Sequence, residues 1–169
     1  MSQSTQQHRQ AAQKTVRCAV VTVSDTRTLE NDRGGQLLND CLTAAGHTVT
    51  RREIVPDDPN RIRSLVEELA DATALDAILI TGGTGIAARD QTYETVSGLL
   101  TKTLPGYGEL FRMLSYEDIG PAAMLSRTIG GLIGQVVLLT MPGSPAAVQL
   151  ALDKLILPEL AHAVYEARK

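Results

Sequence analysis

At 169 residues and 43% hydrophobic side chains, the chain holds enough apolar material for one domain, which would bury ~70% of the surface its unfolded form exposes. A net charge of -3 and a sequence pI near 5.6 leave no basic stripe for nucleic acid, so any phosphate must be held locally by loop amides and a few arginines. Tryptophan is absent and Phe111 is the only phenylalanine, which argues against a base-stacking platform and leaves the core to Leu, Ile, Val and Ala.

Residues 1–14 (MSQSTQQHRQAAQK) lack the apolar stretch of a signal peptide, and no span approaches the length of a membrane helix. The expectation is a cytoplasmic protein with no membrane partner: a flexible tail over residues 1–14, then a single domain over 15–169. Arg17 to Ser24 (RCAVVTVS) is valine-rich and ends in polar residues, as a first buried strand does. Ser24 and Asp25 stand at its carboxyl end, where an Asp or Ser turn and a ligand contact are both open readings.

Asp32-Arg33-Gly34-Gly35 precedes an apolar stripe of Leu38, Cys41, Leu42 and Ala45, so a packing helix is expected there, ended by Gly46. Cys18 and Cys41 have no metal-ligand spacing and read as small buried hydrophobes. His8, His47 and His162 do not pair with them, so no Cys/His metal cluster is expected. His47 to Val55 partly alternates and reads as a second, more exposed strand near the sheet edge. In Pro56-Asp57-Asp58-Pro59, Asp58 is placed to cap a helix with Pro59 at its first position and a stripe of Ile62, Leu65, Val66 and Leu69. Asp57 lies one residue outside that helix, so its carboxylate is free for a cleft.

The stretch Asp76 to Thr92 (DAILITGGTGIAARDQT) organises the rest. Ala77 to Ile80 fits a strand buried on both faces, and it runs directly into Gly82-Gly83-Thr84-Gly85. Such a loop turns with positive φ and points its N–H groups into one concavity, which suits a phosphate or carboxylate. No Gly-Lys-Ser/Thr follows and the spacing is not G-x-G-x-x-G, so neither familiar phosphate loop is present. Asp90 is a candidate site residue or the N-cap of a helix over Thr92 to Leu100.

Tyr107, Leu110, Phe111 and Leu114 form another helical stripe, suited to the core or to a subunit contact. A short helix over Pro121 to Arg127 leads to Ser126 and to Arg127, a candidate anion contact. Thr128 to Ile133 and Gln135 to Thr140 flank Gly134 as an antiparallel hairpin, which makes the sheet mixed. Met141-Pro142-Gly143-Ser144-Pro145 is a strand-loop-helix transition with Ser144 as N-cap. Pro158 is expected to interrupt the helical pattern before a last helix to about Arg168.

The segments VSDT (23–26), PDD (56–58), TGGTG with RDQT (81–92), PGYGELFR (105–112), AAMLSR (122–127) and MPGSPAA (141–147) together resemble the MoaB/MogA family of molybdenum cofactor biosynthesis proteins. The resemblance runs from about residue 16 to the C-terminus. It implies a three-layer α/β/α sandwich with a mostly parallel, mixed central sheet, assembled as a trimer or a hexamer. It also implies molybdopterin as ligand and, in active members, transfer of AMP from ATP with Mg2+ to the molybdopterin terminal phosphate. Asp57 and Asp90 fall on the positions associated with catalysis. Gly82, Gly83, Thr84 and Gly85 match the ligand-binding loop, and Ser126, Pro142, Gly143 and Ser144 match the loops that close the pocket, joined by Ser24 and Asp25.

Phosphoryl chemistry of this kind needs an anion cradle, positioning and charge neutralisation, so Asp57 and Asp90 are expected to hold Mg2+ directly or through water. Other molybdenum cofactor biosynthesis proteins are expected partners. Many relatives carry Asp-x-Ser-Gly where this chain has Gly34, and SYEDIGPAAMLSR (115–127) looks more MoaB-like than MogA-like. The alternatives are a non-catalytic molybdopterin-binding or scaffolding oligomer, and a CinA-like domain acting on nicotinamide nucleotides.

Overall fold

The computed structural model describes residues 15–169; the expected tail over 1–14 lies outside the described residues. Six strands, β1 (Arg17–Val23), β2 (Thr48–Val55), β3 (Ala77–Thr81), β4 (Lys102–Thr103), β5 (Gly130–Ile133) and β6 (Val136–Met141), form one sheet in the order β2-β1-β3-β6-β5-β4. β2, β1, β3 and β6 are mutually parallel, while β5 runs antiparallel to β6 and to β4. The expected hairpin closes through Gly134, whose φ of 57° admits the two-residue turn between Ile133 and Val136.

The uninterrupted apolar runs of the central strands follow from burial on both faces. Cys18 and Val20, Ala77 and Leu79, and Val137, Leu139 and Met141 point into one core. That core is covered by α1 (Arg33–Ala44), α4 (Pro105–Ile119), α5 (Pro145–Ala151) and α6 (Leu157–Ala167). The intervening residues Ala19, Val21, Val23, Ile78, Ile80, Val136 and Leu138 pack beneath α2 (Pro59–Asp71) and α3 (Thr92–Ser97). The period of two thus splits each strand between two cores, and the α/β/α layering follows.

The edges behave differently. Only Val55 of β2 is buried, as its partial alternation implies, and β4 is two exposed residues that no apolar pattern marks. α3 stops at Ser97, three residues short of the expected Leu100. The break expected at Pro158 does not occur. Leu152–Ile156 forms a π turn in which Leu157 N–H reaches back to Leu152 O, so the helix takes the proline without ending.

At the pole where β3 begins, Asp76 is fully buried. It accepts from Arg17 N at 2.7 Å, Arg17 Nε at 3.1 Å and Arg17 Nη2 at 2.7 Å, and from Arg168. Burial pushes the carboxyl up, yet the hydrogen bonds from Arg17 and Arg168 bring it below its ordinary value.

Nearby, His47 is buried and its Nδ1 accepts from Val16 N at 3.3 Å. Burial lowers its pKa from 6.5, so the fold favours the neutral ring. The stability this ring contributes is present above 6.5 and lost as pH falls through the lowered folded value. Urea titrations from pH 7 to 5 should show this loss in the wild type and a flatter profile in His47→Gln.

Candidate active site

The four parallel strands end on one edge of the sheet. The chain leaves β1 towards β2 on one side and later lays β3 on the other, so the loops after β1 and β3 diverge and open a crevice. Ser24 closes the first loop as a turn, its Oγ accepting from Thr26 N at 3.3 Å and Arg27 N at 3.2 Å. Asp25 reaches across to the loop after β2 and accepts from Asp57 N at 3.1 Å.

Asp58 caps α2 by accepting from Arg61 N at 2.9 Å, which leaves its neighbour Asp57 outside the helix. The Asp57 carboxylate turns to the glycine loop and accepts from Gln91 N at 3.1 Å. Burial raises the Asp57 pKa above 3.8, the charges of Asp90 and Asp25 add to the rise, and the Gln91 hydrogen bond and Arg89 oppose it. Three carboxylates from three loops therefore share one field.

In the glycine loop, Gly82 and Gly83 have φ of 100° and 63°, whereas Gly85 keeps a negative φ. Gly85 is required for space instead, because a Cβ there would lie 2.5 Å from Asp90 Oδ2. A Cβ on Gly83 would lie 2.0 Å from Thr92 Oγ1 and 2.9 Å from Asp57 Oδ2. Gly82 N–H extends the sheet by donating to Met141 O at 3.0 Å, so the cradle is left to the amides from Gly83 to Gly85. Asp90 does not cap α3; Gln91 holds that position without a side-chain bond, and Asp90 Oδ2 accepts from Ala87 N at 2.9 Å within the loop.

The loop after β6 closes the opposite side. Pro142 O accepts from Thr81 Oγ1 at 3.0 Å, Gly143 O accepts from Arg27 Nη2 at 3.1 Å, and Ser144 Oγ caps α5 by accepting from Ala147 N at 3.3 Å. A Cβ on Gly143 would sit 3.5 Å from Gly82 Cα, so this loop and the glycine loop pack backbone to backbone. Ser126 joins them through its neighbour, since Arg127 N donates to Thr84 O at 3.2 Å. Every candidate residue thus reaches the same edge, although the acceptor oxygen of Ser144 is engaged in capping.

Asp32 and Thr92 contribute to the site without being marked as candidates in the sequence, and Gly34, marked there by the missing serine, is a third neighbour. Asp32, with a fully buried carboxylate, caps α1 through Gly35 N at 3.0 Å. It also accepts from Thr22 Oγ1 at 2.7 Å and Arg52 Nη2 at 3.2 Å, and pairs with Arg27 at 3.5 Å. An aspartate just before a helical stripe is the signal that marks it. Gly34 faces the loop after β6: a Cβ there would meet Gly143 O at 3.1 Å and Arg27 Nη1 at 3.6 Å. Thr92 is fully buried and its Oγ1 has no hydrogen-bond partner among the described residues. A cleft of about 510 Å³ opens beside Asp25, lined also by Ser24, Arg27 and Arg52.

A family model described as a probable molybdopterin binding domain matches residues 19–162. The molybdenum cofactor biosynthesis protein B of Bacillus anthracis is 54% identical over 98% of this chain and 99% of its own length. The chain belongs to the MoaB/MogA family of molybdenum cofactor biosynthesis proteins. The protein B of Bacillus subtilis is 51% identical over 98% of each chain. A crystal structure of a molybdenum cofactor biosynthesis protein B superposes with a TM-score of 0.89 at 56% identity, covering 92% of this chain and 97% of that one.

A tungsten cofactor synthesizing MoaB from Pyrococcus furiosus superposes at 0.83 with 38% identity over 94% and 100% of the two chains. The fold is thus that of the MoaB/MogA molybdopterin-binding proteins. A CinA protein of Thermoplasma acidophilum, 18% identical with a TM-score of 0.62, shares the fold alone. Among the described residues, no helix is long and apolar enough to cross a membrane.

Proposed function

We propose that this protein binds molybdopterin in the crevice and transfers AMP from ATP to its terminal phosphate, with the α–β phosphoanhydride bond broken and pyrophosphate released. The observation that supports this reading is the convergence of Asp57 and Asp90 on a lysine-free glycine cradle, with Asp57 held above its ordinary pKa by burial and by like charge. A carboxylate whose ionisation is opposed in this way is one that a cation relieves. Among the described residues there is no group of three or more His, Cys, Asp and Glu able to hold a metal. Mg2+ takes one or two carboxylates and completes its shell with water and phosphate oxygens.

Asp57 and Asp90 would hold the ion, and its chemistry when bound is neutralisation of phosphate charge. The chain's own work is positioning. The amides from Gly83 to Gly85 hold an anionic group, and Asp25 fixes the Asp57 backbone. The loop after β6 walls off the far side. A phosphate monoester is already largely ionised at neutral pH, so no general base is required.

Single-turnover conversion of molybdopterin and Mg-ATP to adenylylated molybdopterin tests the reading. Transfer is expected in the wild type, with loss on chelation of Mg2+ and a fall of about 1,000-fold, to a measurable residual rate, in Asp90→Ala. Absence of transfer with molybdopterin still bound would replace it by a binding oligomer of the same pathway.

We place subunit contact on Leu110, Met113, Tyr116, Ile119, Met124 and Leu125, large apolar side chains exposed along α4 and the turn that follows it. A trimer or hexamer is the expected mass by light scattering.

A further inference from the structure

We infer that Arg127 is a positioning residue that sets the separation between the glycine cradle and Asp90. The two lie at opposite ends of one loop, and the contacts inside that loop are local: Asp90 N–H to Ala87 O at 2.9 Å, Ala87 N–H to Asp90 Oδ2 at 2.9 Å, and Gln91 Nε2 to Ala88 O at 2.7 Å. Arg127 joins the ends from outside. Its Nε donates to Gly85 O at 2.7 Å and its Nη2 donates to Asp90 O at 2.7 Å.

These two nitrogens form one edge of a rigid, planar guanidinium with parallel N–H directions. Gripping two carbonyls with that edge closes residues 85–90 into a ring of fixed width. The third nitrogen pairs with Glu94, and the guanidinium lies over the Tyr93 ring at 5.6 Å, so α3 holds the clamp in turn. These contacts engage three of the five guanidinium N–H groups, and the role they define stands beside the sequence-based expectation of an anion contact.

The rate arm of the test rests on the transfer reading; the exchange arm does not. Arg127→Lys keeps the charge but has no fork. Its amides 84–91 should exchange with deuterium about 10-fold faster or more, with β1, β3 and β6 unchanged. Its single-turnover rate should fall about 100-fold, while KM for molybdopterin changes far less. Combined with Asp90→Ala, it should cost nothing beyond Asp90→Ala alone. Wild-type exchange in Arg127→Lys, or an independent multiplicative rate loss in the double variant, overturns the inference.

If the wild type shows no transfer, the transfer reading fails and exchange still decides the clamp. Should Arg127→Lys not fold, the Tyr93→Leu/Glu94→Gln variant loosens the guanidinium without touching the gripped carbonyls. Faster exchange over 84–91 is expected there too, and unchanged exchange refutes the clamp.

Discussion

Asp57→Asn is expected to lower AMP transfer by about 100- to 1,000-fold and, at the same time, to raise the melting temperature. Both follow from one cause. The folded pKa of Asp57 is raised by burial and by Asp90 and Asp25, so at neutral pH the ionised carboxylate is a charge the fold resists. The sign is set by linkage: stability associated with this group is fully present below its unfolded value of 3.8 and is lost as pH rises through the raised folded value. Asparagine removes the charge and keeps an oxygen that can accept from Gln91 N–H. Calorimetry of the two proteins from pH 4 to 7 should therefore diverge as pH rises, with the variant above. A variant that melts below the wild type at pH 7 would contradict this account of the site.

Gly83→Ala should abolish molybdopterin binding and lower stability together. With φ at 63°, a Cβ imposes backbone strain of about 1–3 kcal/mol. The same atom would fall 2.0 Å from Thr92 Oγ1, in a buried wall, and 2.9 Å from Asp57 Oδ2. The loop must open to admit it, and the cradle amides move with it. For a chain of this size each kcal/mol lowers the melting temperature by about 2–4 °C, and fluorescence titration with molybdopterin reads the other loss. Gly106→Ala is the matched control. That position lies in the first turn of α4 with open space around it, so the change should leave binding intact.

Much of the site was legible because its residues exclude one another from ordinary jobs. Asp58 is so well placed to cap α2 that Asp57 is freed, and the structure bears this out in the Arg61 bond. The positive φ of Gly82 and Gly83 follows from a strand that runs straight into a glycine loop. What the sequence does not display is the set of contacts made across long separations. Arg127 meets Gly85 across 42 positions, and Arg27 meets Gly143 across 116; no local pattern encodes such pairs. Asp32 was passed over because its buried network is assembled only when β1, β2 and α1 pack. The π turn before Pro158 was invisible for a different reason: proline forbids one hydrogen bond, and nothing in the residue says whether the chain will stop or shift register to avoid it.

The Asp76 carboxylate is gripped by Arg17 near the start of the domain and by Arg168 near its end. Both ends of the described chain are thereby stitched to one pole of the sheet, and the crevice lies at the other. A polypeptide joined beside Arg17 or Arg168 would therefore leave from the pole opposite the crevice and would not crowd its mouth.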